Sequence, residues 1–469
     1  MTEMLQSRAS RPARPGASFT ELWAEELCAR FEAPLPEHVA RTVGWALRDA
    51  CGLALSGSVT SAGARVGRYV AEVGGSRESA VFGRGDRVPA AQAAFANGAS
   101  IHALDFDDGH RMAGGHPGTV VVPAALAVGE RHDASGSELL KAIALGYETF
   151  IRIGSAITPE HVRRGFHTTA TVGALAAAVA AGLARGLGPH ELANALSLAT
   201  LQSGGLLEVV HDGAESKPFQ VGRASASGVL AADMAAAGLE GPRTAMEGRH
   251  GWLAAVGGAP VEDIDTGEGW TLTQIYFKPH AACQATHAPI DALLALREVA
   301  DTFDEVVVHT NSVAAMIVGD DEAPRGPSDA KFNLPFCLAL AHRGGRVGPE
   351  EFDDAAVADP ELQAFARRVR VVVDPDLDAI YPHRRSVRVV VRSGESLHEH
   401  FQEHAVGEPE LPMDDARLRE KFVGEAGRVV GDERAVELAD MLERPEELTC
   451  RTLADALAGP PSARGEGGA

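Results

Sequence analysis

Residues 168–183, TTATVGALAAAVAAGL, form the least charged stretch of this 469-residue sequence and decide its fold class. Arg164 and Arg185 flank the stretch closely. It is short for a bilayer span, which takes about 20 apolar residues, so a buried helix of a globular domain is favoured over a membrane span. Alanine-rich segments with apolar residues at helical spacing surround it, from about residue 18 to residue 270. The sequence therefore predicts a mainly α protein with a large helical domain.

Capping signals predict three more helices in this part of the chain. One begins with Ser137 as its N-cap, has an acidic first turn and runs to Ile153. A second has Pro189 in its first turn, where the missing N–H costs little. A third spans residues 224–238 and ends at a glycine, as helices often do.

The residue pattern changes near Ile275, where β-branched runs begin to alternate with short helices. The β-branched content predicts two strands and a β-hairpin, at residues 305–310, 369–373 and 387–404. Helical periodicity predicts short helices before and between the strands, at residues 288–299 and 334–342. This part of the chain is therefore predicted to be a smaller α+β unit.

Both ends of the chain are predicted to build the helical domain, because the charged, periodic segment after residue 413 returns to helix. We expect a helical domain of residues 19–272 and 409–457, and an α+β domain of residues 273–408. Residues 1–18 and 458–469 are predicted to be disordered ends. The first of these has arginines but no apolar core, so it is not expected to be a signal peptide.

The net charge excludes two classes of partner. The sequence has 43 Lys+Arg against 65 Asp+Glu, which gives −22 at pH 7. A surface that binds nucleic acid or anionic lipid needs a cluster of cations, so we expect neither a nucleic-acid nor a membrane partner.

The cysteines are odd in number and include no CxxC pair: Cys28, Cys51, Cys283, Cys337 and Cys450. This usage predicts a cytoplasmic protein without a disulfide framework or structural zinc.

The segment 99–118, ASIHALDFDDGHRMAGGHPG, is the densest in groups that carry chemistry. Three histidines, three aspartates and an arginine stand among its glycines. A carboxylate beside an imidazole fixes its tautomer and raises its basicity, as proton transfer requires, and glycines let a ligand approach the backbone. The alternatives are a divalent-metal site and a structural acidic loop. No HxxxH or HExxH spacing favours metal.

A second cluster, HVRRGFHTT at residues 161–169, comes just before the alanine-rich helix. A histidine followed by hydroxyls at a helix start offers free N–H groups to an anion and an imidazole for acid or base catalysis. The alternative interpretation is a capping threonine in a solvated loop.

Two lysines stand in unusual surroundings in a chain whose positive charge is nearly all arginine. Lys217 and Lys278 each precede a proline and lie near aromatic residues. Such an ammonium binds a carboxylate as a point charge or titrates when desolvated. The alternative is a lysine whose stem packs on an aromatic ring.

Three histidines, His398, His400 and His404, share one face of a predicted strand. A solvated strand face is favoured there over a metal site.

Taken together and in this order, these segments resemble the MmgE/PrpD family, which includes 2-methylcitrate dehydratase, cis-aconitate decarboxylase and iminodisuccinate epimerase. The resemblance covers nearly all of residues 19–457. Its motifs are HALDFDD from His102, HPG from His116, GYE from Gly146 with Arg152, GFHTTATVGALAAA from Gly165, Lys217 with GRA from Gly222, MEGRHG from Met246, KPHAACQATHAPID from Lys278, and NLPF from Asn333.

The resemblance implies a fold in which the smaller α+β domain is a lid over the helical domain, with the active site in the cleft between them. It also implies a homodimer that uses neither a metal nor an organic cofactor. Carried over position by position, it implies a catalytic set of Asp105, His116, His167, Lys217 and Lys278. His102 and Asp108 are expected to support the same loop and to contact substrate.

Two positions depart from the family pattern. Decarboxylase-like relatives have a threonine where this chain has Gly109, in a loop one residue longer. Many relatives have a tyrosine where this chain has Phe336. The missing hydroxyls remove a proton donor and change the substrate contacts, so the resemblance does not fix the substrate.

The family chemistry is the formation and quenching of a carbanion beside a carboxylate or imine. Cations stabilise that charge, so Arg111 and Arg164 are expected to reinforce the lysines. His116 and His167, tuned by Asp105, are expected to exchange the proton, with the roles of base and acid open. We expect a hydro-lyase that acts on a small anionic di- or tricarboxylate. The alternatives are an epimerase or decarboxylase that uses the same carbanion, and an inactive family member that acts as a binding scaffold.

Overall fold

The computed structural model describes residues 16–210, 215–300, 302–345 and 347–459. The disordered ends predicted from the sequence lie almost entirely outside the described residues. The N-terminal part consists of helices and a short antiparallel ribbon. These elements are α1 (Phe19–Glu32), α2 (Glu37–Ser58), α3 (Ser61–Val73), β1 (Ser79–Ala80), β2 (Arg87–Val88), α4 (Ala90–His102), α5 (Gly118–His132), α6 (Gly136–Ile157), α7 (Glu160–Arg163), α8 (Thr168–Arg185), α9 (Pro189–Thr200) and α10 (Lys217–Ala236).

Helix α8 lies at the centre of this domain, against α5, α6, α9 and α10. It is buried from Thr168 to Ala184, so the prediction of a buried helix is confirmed. Within the described residues, α8 is long and apolar enough to span a membrane, but nearly all of it lies inside the protein. Small side chains let its neighbours approach closely. A Cβ at Gly228 of α10 would lie 2.5 Å from the Ala178 nitrogen.

Two predicted helix starts differ from the structure. Helix α6 begins after Ser135, which forms a capping box with Glu138, and not after Ser137. The reciprocal bonds between Ser135 and Glu138 satisfy two free N–H groups, which explains the earlier start. Helix α10 begins at Lys217, seven residues before the predicted start at residue 224. This earlier start places Lys217 in the first turn of the helix.

The second part of the chain is the smaller α+β domain. Its four-stranded sheet has the order β4-β3-β5-β6, with β3 parallel to β4 and antiparallel to β5. Helix α11 packs against β5, β6 and α14. Buried and less buried residues alternate along β3. The elements are α11 (His287–Leu296), β3 (Glu305–Thr310), α12 (Ser312–Val318), α13 (Pro327–Ala330), α14 (Leu334–Gly344), α15 (Asp354–Ala358), α16 (Pro360–Ala366), β4 (Val369–Val373), α17 (Pro375–Ala379), β5 (Val387–Ser393) and β6 (Ser396–Gln402).

Strand β6 ends before His404, so the three histidines of the predicted strand do not share one strand face. His398 and His400 lie on β6 and are half-buried. His404 lies beyond the strand, with Nδ1 at 3.5 Å from a carboxylate oxygen of Glu408.

The C-terminal segment returns to the helical domain as α18 (Asp415–Val430), α19 (Asp432–Met441) and α20 (Cys450–Ala458). Helix α18 packs on α2, and α20 packs on α5. A buried ion pair joins the two chain ends, with Lys421 Nζ at 2.7 Å from Asp49 Oδ1. The expected fold, mainly α with a smaller sheet domain, is confirmed, while the residue limits given for the two domains stay predictions.

Candidate functional site

Asp105 lies at the centre of the site, in the loop that follows α4. Its backbone is left-handed (φ 52°), a conformation that aspartate tolerates better than most residues. Lys217, at the start of α10, donates to Asp105 Oδ1. Lys278 donates to Asp105 Oδ2 at 2.8 Å and to its carbonyl oxygen at 2.7 Å. One carboxylate therefore joins two lysines that are distant in sequence.

The two lysines decide the protonation of Asp105. Burial alone would raise the pKa of Asp105, but the ammonium groups of Lys217 and Lys278 outweigh it and hold the pKa well below its usual value. Lys278 is fully buried behind the carboxylate, whereas Lys217 lines the cavity described below. Lys278 therefore acts through Asp105, and Lys217 is the ammonium that a ligand meets.

His116 carries its proton on Nδ1. This nitrogen lies 2.7 Å from the carbonyl oxygen of Asp108, and a carbonyl oxygen only accepts. The neutral ring therefore has its lone pair on Nε2. Burial lowers the pKa of His116 to about 3, since the carboxylate of Asp107 opposes burial only in part. His116 is thus a neutral imidazole with a free lone pair at neutral pH.

His167 has the opposite tautomer, because Gln220 fixes it. Gln220 Oε1 accepts from the Leu206 N–H at 3.1 Å, and Gln220 Nε2 donates to the Leu206 carbonyl at 3.2 Å. These two bonds orient the amide, so the nitrogen that lies 2.7 Å from His167 Nδ1 is a donor. His167 Nδ1 must then accept, which leaves the ring proton on Nε2. Burial, reinforced by the Lys217 ammonium, holds the pKa of His167 well below its usual value.

A third imidazole lies between these two. The His102 ring centroid is 5.2 Å from that of His116 and 6.0 Å from that of His167. His102 Nδ1 lies 2.7 Å from Asp107 Oδ2. Its Nε2 is buried and has no hydrogen-bond partner in the described part of the chain. His102 lines a smaller neighbouring cavity, which lies on the Lys331 side of Lys217.

Asp108 supports the loop from the side away from the cavity. Tyr147 donates to Asp108 Oδ2 at 2.6 Å, and the Gly118 N–H donates to Oδ1 at 3.1 Å. Burial raises the pKa of Asp108 to about 8. Tyr147, the tyrosine of the GYE motif, therefore has a structural role. Glu148, its glutamate, accepts a hydrogen bond from Arg152 at 2.7 Å and has a structural role as well.

A cavity between the two domains joins these groups. The helical domain contributes Asp105, His116, His167 and Lys217 to its polar end. The α+β domain contributes Gln284, which lies in the KPHAACQATHAPID motif, and three polar side chains outside the quoted motifs, Tyr381, Arg385 and Glu408. Arg385 donates to the Arg111 carbonyl at 2.7 Å, and its buried Nε has no partner among the described residues. Groups from both domains therefore meet in one cleft.

Tyr276 fills the space beside Gly109. The two backbones pair as a short antiparallel bridge, with N–H···O distances of 3.1 and 2.8 Å. A Cβ at position 109 would overlap the Tyr276 hydroxyl, so the tyrosine requires a glycine there. Tyr276 lines the cavity, and its hydroxyl makes no hydrogen bond to any described residue. Burial raises the pKa of Tyr276, so the phenol stays protonated and can donate.

Besides Asp108, three predicted substrate-binding residues lie away from the cavity wall, namely Arg111, Arg164 and Phe336. Arg111 pairs with Glu410 and, at 3.4 Å, with Glu408. Arg164 donates to two backbone carbonyl groups on the protein surface. Phe336 is fully buried in the main hydrophobic core. Arg111 thus orients the Glu408 carboxylate, and the other two have structural roles.

Sequence reasoning missed Gln220, Tyr276 and Arg385. Tyr276 lies two residues before Lys278, and Gln220 lies one helical turn after Lys217, so both stand next to residues that the sequence singled out. Arg385 had no such signal, because it approaches the site from a separate loop of the α+β domain.

Within the described part of the chain, two groups of side chains have the spacing of a metal site: His102, Asp105 and Asp107, and His404, Glu408 and Glu410. In the first group both oxygens of Asp105 already accept from ammonium groups. In the second, the Arg111 guanidinium pairs with both glutamates. Fixed cations therefore offset the carboxylate charge that would attract a metal, which favours the predicted metal independence.

Comparisons with known proteins agree with this architecture. A family model described as the MmgE/PrpD N-terminal domain matches residues 29–263, and one described as the MmgE/PrpD C-terminal domain matches residues 280–444. A cis-aconitate decarboxylase of Mus musculus is 25% identical over 94% of this chain and 94% of its own length. One of Aspergillus terreus is 28% identical, covering 79% and 81%. The cis-aconitate decarboxylase-like protein oryM of Aspergillus oryzae is 26% identical, covering 88% and 90%.

Proposed function

The chain belongs to the MmgE/PrpD family, and from this premise we propose that it is a hydro-lyase that removes water from a small carboxylate through a carbanion. The observation that carries the proposal is the pair of neutral histidines with opposite tautomers. His116 presents a lone pair to the cavity, and His167 presents an N–H. Dehydration needs one group of each kind, because a proton is taken from carbon while another is given to the leaving oxygen.

His116 is the base in this mechanism. Its Nε2 takes the proton α to the substrate carboxylate, and the Nδ1–H stays bonded to the Asp108 carbonyl. The imidazolium that forms is stabilised by Asp107, whose carboxylate lies 3.6 Å from His116 Nδ1. The ring is neutral before the reaction because burial disfavours its charged form.

His167 is the donor to the leaving hydroxyl. The departing oxygen takes the Nε2 proton as the C–O bond breaks, which gives water and the unsaturated product. His167 precedes the first residue of α8, and the positive end of the helix dipole keeps the ring neutral and eases its loss of the proton. Gln220 is the positioning residue that holds this tautomer.

Lys217 stabilises the carbanion. Its ammonium lines the cavity, where it meets the substrate carboxylate over which the negative charge spreads. Asp105 and Lys278 hold this ammonium in place from behind. Tyr276 adds a neutral donor to the same wall.

Decarboxylation is the second candidate, because the relatives reported above are named cis-aconitate decarboxylases or decarboxylase-like. It would use the same cations and the His167 donor, which would protonate the carbanion left after CO2 departs. The base His116 has no required part in that reaction, so the variant His116→Ala separates the two candidates.

NMR of the protein in deuterated water tests the proposal with citrate, 2-methylcitrate, cis-aconitate, malate and iminodisuccinate. A hydro-lyase gives alkene signals, and the signal of the hydroxyl-bearing carbon disappears. If a carboxylate is lost as CO2 instead, the enzyme is a decarboxylase and the hydro-lyase proposal is wrong. Deuterium entry at one α-carbon without loss of water or CO2 would show an epimerase instead.

A homodimer and a cytoplasmic location stay part of the proposal. An exposed apolar patch on α3 and α10 supports the dimer, with Tyr69 and Phe219 joined through edge contacts to Phe95. Leu230 and Met234 of α10 are also exposed. Light scattering of the purified protein measures the mass directly, and a monomer would contradict this part of the proposal.

A further inference from the structure

The cavity has a second end that the mechanism does not use. Six apolar side chains line it: Val162, Leu207, Val210, Val313, Ile317 and Phe332. Four of them are the buried members of a small hydrophobic cluster separate from the main core, and the other two pack against it together with Val209 and Tyr381. The first three come from the helical domain and the others from the α+β domain. This apolar end therefore continues the cleft that holds the histidines.

The charges of the cavity wall limit how many carboxylates it binds. Among the described lining residues, Lys217 and Arg385 are cationic, while Asp105 and Glu408 are anionic. Lys217 is already paired with Asp105, and Arg385 keeps one buried nitrogen without a partner. Two carboxylates thus find a cation each. A third would have no cation of its own among the described lining residues, and burying a carboxylate without a counter-charge is strongly unfavourable.

We infer that the substrate is a dicarboxylate that carries an aliphatic chain, and that the chain occupies the apolar end of the cavity. The inference rests on the proposed function for the position of the reacting carbon, beside His116 and Lys217. One carboxylate binds Lys217, the other binds Arg385, and the chain lies against Val162, Leu207 and Val313. Each buried methylene should raise kcat/KM about fourfold until the apolar end is filled.

A homologous series tests the chain. Malate and 3-alkylmalates from methyl to pentyl keep the same reacting core, and they are compared with citrate and cis-aconitate by NMR. We expect kcat/KM to rise about fourfold per methylene and then fall, with the best alkylmalate above both tricarboxylates. A value that falls from malate onwards, or that is highest for a tricarboxylate, would overturn the inference while the proposed function stands.

Two variants locate the chain. Val313→Thr keeps the shape of the side chain and adds a hydroxyl to the apolar end, so it should reduce the gain in kcat/KM per methylene. Val373→Thr is the matched control, because Val373 is exposed on β4. An unchanged chain-length series in Val313→Thr would place the chain elsewhere and refute the assignment.

Binding of alkylsuccinates separates the inference from the proposed function. These compounds lack the leaving hydroxyl, so calorimetry measures their affinity without any reaction. Affinity that rises with chain length supports the apolar subsite even if all the malates prove inert, which would refute only the hydro-lyase. Affinity that is independent of chain length overturns the subsite.

Discussion

The tautomer of His167 can be inverted by one substitution. Gln220→Glu would replace the amide that donates to His167 Nδ1 at 2.7 Å by a carboxylate that accepts. The neutral ring would then hold its proton on Nδ1 and turn a lone pair towards the leaving group. Only the imidazolium would still carry a proton on Nε2. Gln220→Glu therefore removes the donor without touching the catalytic ring.

The expected loss follows from the hydrogen bond that the variant forms. The neutral bond from Gln220, about 1 kcal/mol, is lost, and a charge-assisted bond from Nδ1–H to Glu would stabilise the other tautomer by about 2 kcal/mol. Only this second bond acts in the variant, so it leaves roughly one neutral ring in thirty with its proton on Nε2. We expect kcat to fall about thirtyfold at a pH where His167 is neutral.

The pH profile separates this effect from damage to the fold. The carboxylate favours the imidazolium, which still donates from Nε2, so the deficit of Gln220→Glu should shrink at low pH and grow as the pH rises. Gln202→Glu is the control for an added carboxylate, because the Gln202 amide bonds only backbone carbonyls at 3.5 Å. A deficit that is equal at every pH, or a fully active Gln220→Glu with an unchanged melting temperature, would refute the reasoning.

Four further predictions follow from the site. Tyr276→Phe should lower kcat about tenfold, the effect of one neutral donor, while its melting temperature stays unchanged; full activity would exclude the phenol from the reaction. Asp105→Asn keeps the left-handed backbone but leaves two ammonium groups unpaired, so urea unfolding should show a loss of about 3–5 kcal/mol, and wild-type stability would contradict this. Activity requires unprotonated His116, whose pKa burial lowers to about 3, so the acid limb of kcat/KM against pH should lie well below pH 6; a limb near 6.5 would assign the base elsewhere. Activity should survive dialysis against EDTA, and a loss that one divalent metal restores would overturn metal independence.

Features that depend on neighbours along the chain were predictable. The buried helix α8 follows from uncharged residues at helical spacing, and the sheet follows from β-branched runs. The unusual settings of Lys217 and Lys278 also pointed to the two ammonium groups that now share Asp105. The family resemblance added the histidines, which composition alone left divided between catalysis and structure.

Features that depend on distant partners were not predictable. The need for cations near a carbanion suggested Arg111 and Arg164, and the family pattern suggested Phe336. Folding pairs the first with Glu410, turns the second to the surface and buries the third. A side chain's direction is set by what packs around it, and the sequence does not name those neighbours. The apolar end of the cavity was hidden for the same reason, because its walls come from two domains.

The sequence by itself determined that this protein is mainly helical, and it singled out two scarce lysines and a loop rich in aspartate and histidine as candidates for the chemistry. Local periodicity and composition are enough for those conclusions. Only the tertiary structure decided which ring nitrogen of His116 and of His167 carries the proton, and the proposed roles of base and donor rest on that. A tautomer depends on one hydrogen bond to the second ring nitrogen, and for His167 that bond comes from Gln220, 53 residues away.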